Sequence, residues 1–207
     1  MSQIHAKSPQ HCAQKKLVNI RHLHKKVFFT FTAFFSSLLL LVLILWFILH
    51  PTKPHLSLEQ ADIYQLAVSG THLLNASIQL TLVATNQNQK LGIYYDEIQV
   101  YGSYKGQQIT LETSLQPFYQ DPKDTNLLSA VLVANGLPVA PSFNYELDRD
   151  QSAGRLVLGL KANGLLRWKV GPWVSGKYRF NVNCVAVLVF GPSASTAAKQ
   201  GQCFTTI

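Results

Sequence analysis

Residues 73–85 read LLNASIQLTLVAT, and this stretch decides the fold class. Leu74, Ala76, Ile78, Leu80, Leu82 and Ala84 fall on one face of an extended chain. Asn75, Ser77, Gln79, Thr81 and Thr85 fall on the other, with Val83 the exception. A period of two is the signature of a strand with one buried and one solvated face. Asn86-Gln87-Asn88 then supplies a turn.

The same alternation recurs further along. Leu156, Leu158, Leu160 and Ala162 alternate with Arg155, Val157, Gly159 and Lys161. Tyr178, Phe180, Val182, Cys184, Ala186 and Leu188 alternate with Lys177, Arg179, Asn181 and Asn183, until Val185 and Val187 close that face as well. Weaker strand patterns lie at Leu56–Leu66, Ile93–Tyr104, Gln107–Leu111, Leu127–Val133 and Gly201–Ile207. Tyr104-Lys105-Gly106-Gln107 has the composition of a hairpin turn. Phe143–Asp150 reads as the one short helix of this region, separated from the next strand by Gly154. About seven short strands in roughly 150 residues predict an all-β fold, an antiparallel β-sandwich.

Upstream the chain changes character. Val27 to Leu49 is a run of 23 residues without a charge, VFFTFTAFFSSLLLLVLILWFIL. As a helix it spans roughly 34 Å, enough for a hydrocarbon core of about 30 Å. Trp46 stands near its far end, where interfacial aromatics are favoured, and Pro51 and Pro54 end the helix. The run is too long for a signal-peptide core and offers no small-x-small cleavage site, so it reads as an uncleaved signal-anchor. Arg21, Lys25 and Lys26 precede it and only Lys53 follows closely, which orients the N-terminus to the cytosol. The expected organisation is a basic disordered cytosolic tail over 1–26, a transmembrane helix over 27–49 and an extracytosolic domain over 50–207.

The net charge of +8 is unevenly placed. Lys7, Lys15, Lys16, Arg21, Lys25 and Lys26 lie in the tail with no acid beside them. From His50 onward there are 12 basic and 10 acidic residues, a net of +2. A nucleic-acid-binding domain needs a basic face, and this balance argues against nucleic acid as a partner.

Several short motifs follow one another in order. They are Lys90-x-Gly92-Ile93-Tyr94-Tyr95-Asp96, Pro117-Phe118-Tyr119-Gln120, Leu147-x-x-Asp150-x-x-x-Gly154, Arg167-Trp168-Lys169-Val170-Gly171 and Asn181-Val182-Asn183-Cys184. With the apolar run before them, they resemble the plant harpin-induced-like and non-race-specific-disease-resistance-like family over about residues 15–207. Members carry a late embryogenesis abundant group 2 (LEA-2) domain. The resemblance implies a fibronectin-III/immunoglobulin-like sandwich, a plasma-membrane location and a part in defence or abiotic stress. It brings no catalytic residues. One departure is visible: the family has Asn-Pro-Asn after its second strand, where this chain has Gln87 between Asn86 and Asn88.

The residues themselves also speak against catalysis. All seven histidines lie at or before His72, so a Ser-His-Asp, Cys-His or histidine–metal site in the domain lacks its base or ligand. No CxxC or Cys/His zinc spacing occurs. Asp96, Glu97, Glu112, Asp121, Asp124, Glu146, Asp148 and Asp150 remain as candidates for a carboxylate pair, although several stand among turn residues. No catalytic, cofactor-binding or metal residues are expected, and no cofactor. Tyr94, Tyr95, Tyr101, Tyr104, Phe118 and Tyr119 line either a core or a sugar- or lipid-binding surface, with core favoured. Cys184 and Cys203 share the extracytosolic domain and are either bridged or two unpaired core cysteines. Asn75-Ala76-Ser77 is the single N-x-Ser/Thr sequon, and the strand pattern points Asn75 outward, so glycosylation is expected there.

Two functional readings follow. The first is a non-enzymatic membrane protein whose sandwich binds an unidentified protein or cell-wall partner. The second is a lipid-binding sandwich, which needs the apolar faces to line a groove. A type II Golgi transferase shares the topology, but about 150 residues are few for a sugar-nucleotide fold and no Asp-x-Asp motif is present.

Overall fold

The alternation at residues 73–85 becomes a strand with those bounds in the computed structural model of the chain, which describes residues 10–48, 50–70, 72–189 and 197–207. The first nine residues of the basic tail, with Lys7, and Leu49 at the end of the apolar run lie outside the described residues. The chain divides into two units, Met1–His50 and Pro51–Ile207.

The first unit is a single helix, α1 (Gln10–Ile48). Its segment Leu23–Ile44 has a mean hydropathy of 2.5 and is long and apolar enough to cross a membrane; none of the window is buried. The Thr30 hydroxyl donates to the Lys26 and Val27 carbonyls, and that of Thr32 to Phe28 and Phe29, all at 2.9–3.0 Å. The two threonine hydroxyls are thereby returned to the helix backbone. From Gln10 onward the tail is helical, where the sequence reading expects an unstructured chain. Ala13, Gln14, Lys15, Lys16 and Leu17 are strong helix formers, and neither Gly nor Pro interrupts residues 10–48. A helix nucleated in the apolar run therefore propagates back into the basic residues.

The second unit is built from eleven strands and one helix. In chain order these are β1 (His55–Ser69), β2 (Leu73–Thr85), β3 (Gly92–Tyr104), β4 (Gln107–Gln108), β5 (Thr113–Leu115), β6 (Phe118–Gln120), β7 (Thr125–Pro138), α2 (Phe143–Ser152), β8 (Arg155–Val170), β9 (Trp173–Val174), β10 (Tyr178–Val189) and β11 (Ala197–Thr206). The six main strands hold 12 to 16 residues each, so they are longer than the short strands expected. All pairings are antiparallel. One sheet runs β1-β2-β7; the other runs β3-β8-β10, with β4, β5 and β6 along the outer edge of β3 and β9 on the end of β8. Inward residues of both sheets form one core that includes Leu74, Ile78, Leu80, Leu132, Leu158, Phe180 and Val182. This is the expected all-β antiparallel sandwich.

β11 joins the two sheets. Its first half pairs with β1, through Ala197, Ala198, Lys199 and Gly201. Its second half, Gln202 to Thr206, pairs with β10. The crossing falls at Gly201, where a Cβ would stand 2.6 Å from the Val185 carbonyl oxygen and 3.0 Å from Leu58. Only glycine lets the strand pass between these neighbours.

Two local features shape the outer surface. β3 carries a bulge at Asp96: Tyr95 faces Leu166 and Glu97 faces Leu165, so Asp96 is the extra residue. The inward set changes phase there, from Ile93 and Tyr95 to Ile98 and Val100. The Tyr104–Gln107 hairpin turns through Lys105 (φ 47°) and Gly106 (φ 85°), both left-handed, as a two-residue turn of this twist requires. α2 buries Phe143 and Leu147, one turn apart, and stops at Gly154 (φ 74°).

Candidate interaction site

Three of the motifs met separately along the sequence, those of Tyr94, Tyr119 and Arg167, converge on the outer face of the β3-β8 sheet. Tyr94 stands opposite Arg167 on β8 and opposite Tyr119 on β6. The rings of Tyr94 and Tyr119 are 4.5 Å apart. The Lys169 ammonium lies 4.9 Å from the Tyr119 ring centre and 5.4 Å from that of Tyr94, and it donates to the Tyr94 hydroxyl at 3.2 Å. Arg167, 5.4 Å from the Tyr94 ring, forks onto the bulged Asp96 with bonds of 2.7 and 2.6 Å. Gly92 is the platform for this arrangement, because any side chain there would collide with the Tyr119 ring.

The charges of the patch are fixed by their neighbours. Asp96 is held below the usual carboxylate range, chiefly by its hydrogen bond from Arg167. Lys169 is raised by its bond to Tyr94, and Tyr119 is raised by burial and then by Asp121. Each shift moves its group further from neutrality, so none exchanges a proton readily near pH 7. What remains is two partly exposed phenol rings and two fixed cations, suited to flat, sugar-like or anionic groups.

A second cluster ties α2 to the β3-β4 hairpin. The Tyr104 hydroxyl donates to Asp150 at 2.7 Å, and the Lys105 ammonium lies 3.0 Å from Glu146 and 3.1 Å from Asp150. The structure thus brings two of the candidate carboxylates together. Asp150 is lowered to about 2, first by the Tyr104 bond and then by Lys105; Glu146 is lowered chiefly by Lys105. Neither holds a proton at neutral pH, as the general acid of a glycosidase must. Elsewhere Glu97 accepts from the Gln99 amide, and Asp124 accepts from the Thr125 N–H. Among the described residues no group of three or more His, Cys, Asp or Glu is placed to hold a metal ion.

The other site residues read from the sequence fall as follows. Asn75 lies on the outer face of β2, half-buried. Its amide donates to the Ser69 hydroxyl at 3.3 Å and its oxygen accepts the Gly136 N–H at 2.9 Å. Cys184 and Cys203 are direct cross-strand neighbours on β10 and β11 and are joined by a disulfide. The aromatics divide. Tyr95 and Tyr104 are in the core, with Phe118 stacked on Tyr95 at 4.6 Å, whereas Tyr94, Tyr101 and Tyr119 remain partly exposed.

Sequence reasoning took Asn86-Gln87-Asn88 for a turn and missed the polar corner that Asn86 and Asn88 build. Both are buried. Asn86 donates to the carbonyls of Leu91 and Asp121 at 2.8 and 3.0 Å, and its oxygen accepts both the N–H and the side-chain amide of Asn88. The Asn88 oxygen accepts the Thr52 N–H and hydroxyl at 2.8 Å, while its amide donates to the Thr52 carbonyl at 3.0 Å. Gln120 completes the corner by donating to Ala84 and Asp124. Nearly every donor and acceptor is matched, which is why amides tolerate burial here. Gln87, the departure from Asn-Pro-Asn, is exposed and leaves the corner intact. The available signal was the pairing of two asparagines with Gln120.

Comparison with known proteins agrees with this architecture. A family model described as late embryogenesis abundant protein (LEA_2) matches residues 81–184, which span β3, β8 and the patch. NDR1/HIN1-like protein 26 of Arabidopsis thaliana is 55% identical over 213 aligned positions, covering 100% of both chains. NDR1/HIN1-like protein 1 of the same plant is 39% identical, covering 84% of this chain and 85% of its own. NDR1/HIN1-like protein 12 is 38% identical, covering 78% and 77%.

Proposed function

Because the chain belongs to the NDR1/HIN1-like family of LEA_2 proteins, we propose that it is a non-enzymatic plant defence and stress protein, anchored in the plasma membrane by a single span and acting through an extracellular sandwich as an interaction module. The observation that carries the reading is the apolar stretch of α1. Its large side chains from Val27 to Ile44 are all exposed, at 46–70% of their full accessibility. Apolar surface of that extent needs a cover, and a bilayer supplies it along that stretch.

The orientation has two independent supports. Arg21, Lys25 and Lys26 precede the span, which favours a cytosolic N-terminus. The Cys184–Cys203 disulfide suits an oxidising compartment, which supports an extracytosolic sandwich. Asn75 is then within reach of the glycosylation machinery. Its side-chain nitrogen carries two hydrogens, one engaged by Ser69 and one free for replacement by a sugar. Replacing Leu40–Leu43 with charged residues releases the protein from carbonate-washed membranes, because each charge costs about 3 kcal/mol at the span centre. N-glycanase speeds migration of the wild type and not of Asn75→Gln. A wild type that is unglycosylated and carries a protease-protected N-terminal tag overturns the orientation.

The second reading, a lipid-binding sandwich, draws on one feature. The inward faces fill a common core, and an acyl chain would lie in the slot between β5 and β7, bordered by Leu115, Phe118 and Leu128. Mass spectrometry of the purified protein for retained lipid tests it.

A further inference from the structure

The slot between β5 and β7 is where the two sheets approach without joining. It is lined by residues 113–116, Phe118 and residues 126–131, with a volume of about 610 Å³. β5 pairs with β3 and β7 pairs with β2, so each turns its other edge toward the gap. Odd-numbered residues of β7 direct their backbone groups away from β2: the Val133 carbonyl accepts the Leu111 N–H at 2.9 Å, and that of Val131 accepts the Thr113 hydroxyl at 3.3 Å. Beyond those two contacts, the outward N–H and C=O groups of Leu127 and Ser129 and the N–H of Val131 have no partner among the described residues. Exposed edges of natural sheets carry charges, prolines or bulges that discourage pairing. Here residues 125–133 of β7, TNLLSAVLV, include none of these, and Leu127 and Val131 are exposed at 69% and 51%. Inside the slot, the Asn126 side-chain oxygen is buried without a hydrogen-bond partner, the one such atom among the described residues.

We infer that this slot is a strand-addition site that takes an extended, uncharged peptide segment of a partner protein. The peptide backbone pairs with Leu127, Ser129 and Val131, a stretch of roughly 16 Å. Its alternate side chains face Leu115, Phe118 and Leu128, and one of its donors satisfies Asn126. Neither wall has an ionisable group, since residues 113–116 are TSLQ and 125–131 are TNLLSAV, so a charged segment would be stripped of water without compensation. β11 already shows that one strand of this molecule spans both sheets on the other side. The inference deepens the interaction-module reading and rests on it.

The test uses the full chain in detergent with a capped peptide of seven alternating Thr and Val residues, followed by amide hydrogen exchange. The expected result is that exchange at Leu127, Ser129 and Val131 slows by about tenfold or more at saturating peptide. Val131→Lys and Ser129→Pro each weaken the effect by a similar factor, and variants are scored only if the Cys184–Cys203 bridge forms. The same peptide with alternate backbone nitrogens methylated gives no protection, because its side chains are intact but its donors are gone. Equal protection by the methylated peptide overturns the inference in favour of a merely apolar slot. Protection by dodecanoate and not by peptide overturns it in favour of lipid. Protection that rises with protein concentration alone overturns it in favour of a second copy of this chain. None of these outcomes bears on membrane topology, which carbonate washing and protease protection test separately.

Discussion

On one side of the sandwich β11 runs from sheet to sheet; on the other, β5 and β7 face each other across a gap. The joined side needs a glycine at the crossing, and a disulfide fixes the half of β11 that follows it. The unjoined side is held by one backbone hydrogen bond, Leu111 to Val133, and one from the Thr113 hydroxyl. The core beneath is continuous, so the difference lies in edge chemistry rather than packing. A sandwich can be stabilised along one seam and left receptive along the other.

The sharpest challenge to that contrast is removal of the bridge. Replacing Cys184 and Cys203 together by Ser lowers stability by about 3 kcal/mol, the effect expected from opening a loop of this length. Denaturant unfolding of the full-length protein in detergent measures it, and an unchanged midpoint means that the joined side is held without covalent help. Next comes Gly201→Ala, with an expected loss of about 2 kcal/mol from crowding against the Val185 carbonyl and Leu58. Ser129→Thr, on the open edge, leaves the midpoint unmoved in the same experiment.

Acid probes the hairpin at one end of the open side. Asp150 has its pKa lowered to about 2 by Tyr104 and Lys105. A depressed carboxylate contributes stability that is fully present above its unfolded value of about 4. That contribution is lost as pH falls from about 4 to about 2. Asp150→Asn flattens the stability profile in that window and leaves it unchanged in shape above pH 5. The smallest measurable loss belongs to Thr113→Val, which removes a long, exposed hydrogen bond and costs about 0.5 kcal/mol.

The sheet faces were readable wherever alternation ran unbroken. β2 and β8 carry the predicted inward residues at the predicted positions, and so does β10 from Phe180 to Leu188, whereas Tyr178 at its start is exposed at 46%. β3 gave a weaker signal because the bulge at Asp96 shifts its phase by one residue, and a bulge leaves no mark in composition. β5, β6 and β9 have two or three residues each, too few for any period to show. The aromatic–cationic patch was present in the motifs but not as a site. Tyr94, Tyr119, Arg167 and Lys169 come from three strands, and only the pairing registers bring them together. The tail was misread from its charge, since helix propagation from a long apolar segment outweighs polarity in the flanking residues.

The buried asparagine corner forms later than the local hairpins. Its bonds join residues 35 and 36 positions apart, so each waits for loops of that length to close. Contacts of high sequence separation come late, after hairpins such as β3-β4 have formed. Until then the amides of Asn86 and Asn88 are solvated; afterwards they are withdrawn from water with their partners in place. A chain arrested before the corner closes therefore holds local hairpins beside an end that is still wet.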